Sequence, residues 1–326
     1  MRKTCIGISA ADSIVGHGII KSLRKSDLSG SLKIVAFEYF ENMVASFWAD
    51  KTYIMPDILR KGVTREDYVG KLVSLIREED IKILFVAIGF ELEMMAENRD
   101  RIRKETGCEV IVSSPEVIRI AEDKYETYRF LKDKGLPCPR TWLPGEIDNV
   151  AYPAIIKPRS GTGSKGVSVV GSKDELMKKL PELKNPVLQE NIGTKDDEYT
   201  CGVIYLDDEV KTFICLKRYL KFGNTNSAYH SKSAPSGIRP YVESIARALK
   251  PYGPCNFQLR VDSAGQPKLF EINARFSGTT SMRPYFGINE SEYMVKHILG
   301  MKAPEIELKY GKVLRYQEDM FVEEIN

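Results

Sequence analysis

Lys157 stands inside the apolar stretch 152–158 and is followed at once by Ser160-Gly161-Thr162-Gly163-Ser164-Lys165-Gly166. Glycines let backbone N–H groups close around phosphate oxygens, and a lysine inside an apolar strand is costly to bury without an anion. Together they could hold a nucleotide phosphate. The same residues also suit an ordinary flexible hairpin whose lysine reaches the surface. Further along, Asn256, Gln258, Arg260 and Asp262 recur at period two, and so do Glu271, Asn273 and Arg275. Period two places such residues on one face of a strand. A carboxylate and an amide two residues apart, beside a glutamine, are hard oxygen donors. They suit Mg²⁺, which completes its shell with phosphates and water. The competing reading is a solvated sheet face. It is weakened by the apolar Leu269, Phe270 and Ile272 and by the continuation Phe276-Ser277-Gly278-Thr279-Thr280.

Two more acids sit at strand ends. Glu190 closes the run VLQE, and Glu198 opens EYTCGVIY. Without further context they read as exposed strand termini. Two familiar nucleotide motifs are missing. The first strand is followed by Ser9-Ala10-Ala11-Asp12-Ser13-Ile14-Val15-Gly16-His17-Gly18, which lacks the dinucleotide fingerprint, although Glu38 stands where a ribose-binding acid would. The glycine-rich segment lacks the Walker spacing, since Val167 follows Gly166.

These residues need elements to hold them. Short apolar runs at 4–9, 32–38, 83–88 and 109–113 alternate with helical patterns at 16–25, 65–79 and 91–106. That alternation predicts βαβ units and a parallel sheet, a Rossmann-like support domain ending near residue 113. Ser114-Pro115-Glu116 starts a helix that runs to about residue 134, with a break near Asp123-Lys124. A strand at 152–158, the glycine-rich loop and a strand at 167–170 form a hairpin. Strands follow at 187–193, 198–205, 256–262 and from 268, with helices at 239–250 and 290–299 and short strands near 305–308 and 313–316.

The chain has 326 residues, 43% apolar and 29% charged, with a net charge of +3. The length fits two to three domains. The near-neutral balance gives no reason to expect a nucleic-acid or polybasic membrane partner. No apolar run approaches the roughly 20 residues that span a bilayer, and the N-terminal stretch reads as a first strand rather than a signal peptide. Cys5, Cys108, Cys138, Cys201, Cys215 and Cys255 are widely spaced, as in a reduced, cytoplasmic protein, and His17, His230 and His297 offer little for zinc.

Taken in order, Asp123-Lys124, IIKPRSGTGSKGV at 155–167, VLQENI at 187–192, EYTCGV at 198–203, NFQLRVD at 256–262 and FEINARFSGTT at 270–280 resemble the ATP-grasp superfamily. The resemblance covers essentially the whole chain. It is greatest to the synthetase halves of the carbamoyl phosphate synthase large subunit and to carboxylate–amine ligases such as D-alanine–D-alanine ligase. It implies an α/β chain: a Rossmann-like pre-ATP-grasp domain at 1–113, then a two-lobed α+β ATP-grasp domain. Its small lobe, with the glycine-rich loop, would span 114–190, and its large lobe, with the metal site, 191–326.

Residue by residue, the resemblance implies that Lys124 and Lys157 hold ATP phosphates and that Ser160, Gly161, Gly163 and Gly166 belong to a loop closing over them. Glu190 and Ile192 fall where relatives contact adenine, and Glu198 where an acid binds the ribose. Gln258, Glu271 and Asn273 match the metal ligands, and Arg275 an arginine near the acyl phosphate. Many ligases of the superfamily have an acid where Gln258 stands; the carbamoyl phosphate synthase type has glutamine. The implied chemistry is ATP- and Mg²⁺-dependent, with Mn²⁺ as a substitute. A carboxylate would be phosphorylated to an acyl phosphate, which an amine then attacks. The alternatives are phosphorylation alone, ligation to a non-amine nucleophile, or nucleotide binding without catalysis. The implied partners are a small-molecule carboxylate and amine, with a homodimer as the assembly. Lys217, Arg218, Tyr229, His230 and Arg283 fall in regions that border the acceptor site in relatives, where Lys217 and Arg218 would suit an anionic substrate; a solvated basic strand is the other reading.

Overall fold

A computed structural model describes residues 3–323 except Thr162, Ser164, 195–197 and Phe222. The first sheet is wholly parallel. Its strands are β1 (Thr4–Ser9), β2 (Leu32–Glu38), β3 (Lys51–Ile54), β4 (Ile81–Phe85) and β5 (Glu109–Ile111), in the order β3-β2-β1-β4-β5. Between them run α1 (Ile14–Arg24), α2 (Val44–Trp48), α3 (Arg65–Glu79) and α4 (Gly89–Thr106). Near-continuous apolar strands are what a sheet covered on both faces requires, and Ile6, Ile8, Ile34, Val35, Ile83 and Leu84 are all fully buried. The helix starts are chemically marked. Ser13 Oγ accepts the Gly16 N–H at 3.0 Å, and Thr64 and Asp67 form a reciprocal capping box.

The expected break near Asp123-Lys124 is present. It separates α5 (Pro115–Glu122) from α6 (Lys124–Asp133), and Asp123 caps α6 by accepting the Tyr125 N–H at 2.8 Å. A four-stranded antiparallel sheet follows, built from β6 (Thr141–Trp142), β7 (Ala154–Pro158), β8 (Ser168–Val170) and β9 (Pro186–Glu190) in the order β6-β9-β7-β8. Helix α7 (Lys173–Lys179) crosses it. The β7–β8 hairpin is the expected one, with Ile156 opposite Ser168.

The third sheet has six antiparallel strands: β10 (Glu198–Leu206), β11 (Glu209–Lys221), β12 (Asn224–His230), β13 (Gly253–Val261), β14 (Pro267–Asn273) and β15 (Gly311–Leu314), in the order β14-β13-β10-β11-β12-β15. Helix α8 (Ile238–Leu249) packs on one face through Ile238, Val242, Ile245 and Leu249, and α9 (Glu290–Ile298) lies against α1. The segment 305–308 is not the strand its alternation suggests. It crosses Gly287 so closely that a Cβ there would lie 1.9 Å from the Glu307 carbonyl oxygen, and Ile306 and Leu308 remain exposed. Helix α7 buries only Leu176, which leaves too little periodicity to mark it in the sequence.

The carboxyl edge of the first sheet is joined to the third. Phe85, at the end of β4, packs on Phe276 with ring centroids 5.5 Å apart, Ser22 Oγ donates to the Thr280 carbonyl at 3.2 Å, and Asn289 Nδ2 donates to the Ser22 carbonyl at 2.7 Å. The segment that follows β14 is thus held against the parallel sheet. Among the described residues no helix is long and apolar enough to cross a membrane, and all six cysteines are free, five of them buried.

Candidate active site

A cleft of about 460 Å³ opens between the four-stranded and six-stranded sheets. One wall is β7 and the loop after it. Residue 157 points inward on β7, and Lys157 is 4% exposed. Its Nζ donates to Gln189 Oε1 at 2.7 Å, and Gln189 in turn donates to Thr141 Oγ1 at 3.0 Å. The ammonium faces the Phe270 ring at 5.4 Å. Among the described residues it makes no ion pair. Burial, and then the Lys124 charge, push its pKa down from 10.5 to about 7.

Lys124, at the start of α6, donates to the carbonyls of Arg159 and Gly161, each at 3.3 Å. Arg159 is fixed by a fork onto Asp123, with Nη2 2.6 Å from Oδ2. The cap of α6, the lysine and the root of the glycine-rich loop therefore form one unit. Ser160, Gly161 and Gly163 line the cleft, whereas Thr162 and Ser164 lie outside the described residues. Gly161 and Gly163 have φ of +139° and +70°, where a side chain is strained. Across the mouth, a Cβ on Gly223 would lie 2.2 Å from the Gly163 carbonyl oxygen. The β11–β12 turn thus touches the loop through bare backbone. Gly166 stands apart from the cleft, and a Cβ there would meet Leu183 at 2.8 Å. Its place in the loop is one of packing.

The opposite wall comes from the large sheet. Glu198, opening β10, is paired by Arg218 Nη2 at 2.7 Å and by Arg260 Nη2 at 3.0 Å. Arg260 also donates to the Ile192 carbonyl at 3.3 Å, so Ile192 and Glu198 are held together. Glu190 Oε2 accepts the Arg140 N–H at 3.0 Å. Gln258, Glu271 and Asn273 converge. Gln258 Nε2 donates to Glu271 Oε1 at 3.3 Å, and Asn273 Nδ2 to the same oxygen at 3.1 Å. Arg275 extends this chain, donating to Asn273 Oδ1 at 3.2 Å and to the Phe276 carbonyl at 2.9 Å. Gln258 and Glu271 line the cleft, and Asn273 and Arg275 continue β14 beyond it.

The basic residues expected near an acceptor are mostly committed elsewhere. Arg218 is paired with Glu198, which Arg260 shares, and also donates to Gln258. Lys217 neighbours it on β11 and so projects to the opposite face, level with Tyr229 in register. His230 packs between Phe286 and Tyr310. Arg283 is 1% exposed and salt-bridged to the equally buried Glu290, with further bonds to Asn256, Ser277 and Thr279. It therefore belongs to the interior; the expectation that it borders a substrate fails because a buried arginine is satisfied by a buried acid.

Sequence reasoning passed over Gln189, Arg260 and Phe270, which complete the two walls. Gln189 lies between the apolar Leu188 and the acid Glu190 in β9, and a glutamine in so apolar a run was the available signal. Glu122, the last residue of α5, was passed over as well. It makes no hydrogen bond or ion pair among the described residues, and Arg275, Glu271 and Lys124 are the charges around it.

Comparison with known proteins agrees with this architecture. Residues 121–279 match the family described as ATP-grasp domain, and residues 17–111 match the PylC-like, N-terminal domain. The chain thus carries an ATP-grasp domain over just under half of its length, preceded by a PylC-like N-terminal domain. It is 28% identical to a D-alanine–D-alanine ligase A of Bacillus cereus, over 47% of this chain and 57% of that protein. It is 23% identical to the carbamoyl phosphate synthase large chain of Thermotoga neapolitana, over 80% of this chain and 24% of that protein. The chain thus spans little more than half of the first relative and about a quarter of the second. A crystal structure of N5-carboxyaminoimidazole ribonucleotide synthetase in complex with ADP superimposes with a TM-score of 0.74 at 14% identity, covering 94% of this chain and 80% of that one. At that identity the likeness concerns the fold. The chain described here has the parallel N-terminal sheet and two-lobed cleft of that fold.

Proposed function

We propose that this ATP-grasp protein is an ATP- and Mg²⁺-dependent carboxylate–amine ligase that works through an acyl phosphate. The observation that carries the reading is the facing of two walls across one cleft. Lys124 and Lys157 stand at a glycine-rich loop on one side, and Gln258 and Glu271 on the other. We take 1–113, 114–190 and 191–326 as the corresponding domain and lobes. Lys124, Lys157 and the loop at Ser160, Gly161 and Gly163 would receive the phosphates, with Gly166 packed at the base of the loop. Glu190 and Ile192 would border the adenine, and Glu198 the ribose.

The donor set fits a hard cation: one carboxylate and two amides meet at Glu271 Oε1. In this geometry the amide N–H groups point at the carboxylate, and a half-turn of each amide would present its oxygen instead. Gln258, Glu271 and Asn273 would hold Mg²⁺, and Mn²⁺, equally partial to oxygen, would substitute. The ion would neutralise charge on the β- and γ-phosphates. With only one carboxylate the protein alone would bind it weakly, so the nucleotide would bring much of its affinity.

In the reaction a substrate carboxylate oxygen attacks the γ-phosphorus, the bond to the β-phosphate oxygen breaks, and ADP leaves. An amine nitrogen then attacks the acyl carbon, the bond to phosphate breaks, and the nitrogen loses a proton to give the amide. Lys157 would stabilise the transferring phosphoryl group and Arg275 the oxyanion at the acyl carbon. The loop would exclude water that otherwise hydrolyses the acyl phosphate. We place the protein in the cytoplasm, and sedimentation would read the homodimer that the family resemblance implies.

The test is ADP release from Mg²⁺–ATP across a matrix of carboxylates and amines, with Glu271→Gln as control. Release that needs both substrates, and falls on the order of 10²–10³-fold in the variant, is the expected result. A fully active variant would overturn the metal assignment. Release with a carboxylate alone would favour simple phosphorylation.

A further inference from the structure

Three units of the fold meet at Glu122. It closes α5, which packs on both α4 of the parallel sheet and β14 of the large sheet. Its Oε2 lies 3.3 Å from where a Cβ on Gly89 would stand, at the first turn of α4. The charges nearest to it are Arg275, Glu271 and Lys124, in that order of influence. Yet none of the cations pairs with it. Arg275 bonds instead to Asn273 and the Phe276 carbonyl, leaving its Nε without a partner among the described residues, and Lys124 bonds to two loop carbonyls. Among the described residues Glu122 has no hydrogen bond of any kind, although it is more than half buried. Its oxygens are not sealed off from solvent, so the unpaired carboxylate is open to a cation that arrives from outside.

What could arrive is limited by the surroundings. Arg275, beside which the acyl carbon would sit, is the charge that acts on the carboxylate most strongly. Phe90, which follows Gly89 in α4, is tilted against Tyr39 at 5.5 Å. A primary ammonium group matches the unpaired acid.

We infer that Glu122 receives the ammonium group of the amine substrate and sets it beside Arg275, making this residue a determinant of acceptor binding. The inference rests on the ligase reading above. Glu122 holds the amine and leaves phosphoryl transfer to the two walls of the cleft. The acceptor is accordingly a primary amine, rather than an alcohol or a thiol: it arrives as its ammonium ion, gives one proton to the Glu122 carboxylate to free the lone pair that attacks the acyl carbon, and loses a second as the amide forms.

Hydroxylamine separates the two steps. It is uncharged at neutral pH and traps an acyl phosphate as a hydroxamate without a carboxylate to hold it. Wild type, Glu122→Gln and Glu122→Asp are assayed with Mg²⁺–ATP, a panel of L-amino acids and D-alanine as both carboxylate and amine, and hydroxylamine in parallel. The expected result is that Glu122→Gln keeps hydroxamate formation and the KM for ATP, while its KM for the amine rises roughly tenfold or more, as for loss of a charge-assisted hydrogen bond. Glu122→Asp, which keeps the charge, recovers part of that loss. An unchanged amine KM in Glu122→Gln overturns the inference. So does an equal loss of hydroxamate and amide, which would place Glu122 in phosphoryl transfer, metal binding or folding. Absence of hydroxamate from the wild type would instead sink the ligase reading itself.

Discussion

Lys157 Nζ lies 2.7 Å from Gln189 Oε1, and that neutral oxygen is its only hydrogen-bond partner among the described residues. A buried lysine without an acid is held near neutrality at ordinary pH, with a pKa of about 7. Phosphate oxygens would restore the charge. Nucleotide binding at about pH 8.5 is therefore expected to take up roughly one proton, because an adjacent anion raises the pKa back above the ambient pH. Calorimetry in buffers of different ionisation enthalpy reads the uptake, and Lys157→Met should abolish it. No uptake in the wild type would show that the phosphates bind elsewhere. Without nucleotide the same depressed pKa makes the folded state lose stability as pH falls from about 10.5 to about 7, and below that range nothing more is lost.

Glu38 gives the opposite slope. It ends β2, is 3% exposed, and leaves Oε1 without a hydrogen-bond partner. Burial, then the charges of Asp12 and Glu91, push its pKa up from 4.5 to about 7. The folded state binds the proton more tightly than the unfolded state, so stability falls as pH rises from about 4.5 to about 7. Glu38→Gln should stabilise the protein by on the order of 2–3 kcal/mol at pH 8 and by little at pH 4.5. Urea midpoints at the two pH values check this, and an equal shift at both would contradict it.

Gly202 and Arg283 should be coupled. A Cβ at Gly202 would lie 2.1 Å from Arg283 Nη1 and 2.6 Å from Glu290 Oε1. Arg283→Ala leaves Glu290 charged and buried, which costs about 3–5 kcal/mol. Gly202→Ala displaces the same pair and should also destabilise substantially. The double variant should lose clearly less than the sum of the two, since both remove one interaction. Additive losses in denaturant unfolding would show that the two residues act independently.

The legible part of this molecule was the part with a period. The apolar runs of β1, β2 and β4 and the capped helices follow directly from local chemistry, as does the interruption at Asp123, where a carboxylate can cap only a helix that starts there. The ATP-grasp architecture agrees with the ordered motifs from Lys124 to Arg275. What stayed hidden depends on pairing across the chain. Arg218 is basic and apparently free in the sequence, but in the fold its guanidinium is held by Glu198 one strand away. Arg283 looks available until Glu290 is placed beside it in the interior. Glu122 was invisible for the converse reason: an acid at a helix end is unremarkable until the fold leaves it without a partner among the described residues.

The contact of Phe85 with Phe276, and of Ser22 with Thr280, ties the parallel sheet to the segment that carries Arg275. The division of labour between the two parts then has a direction. On the ligase reading proposed above, nucleotide capture would fall to the lobes, while the fate of the activated carboxylate would be decided at a seam that the N-terminal sheet helps to build. Loosening that seam would then turn a synthetic enzyme into a wasteful one, still consuming ATP but surrendering its intermediate to water.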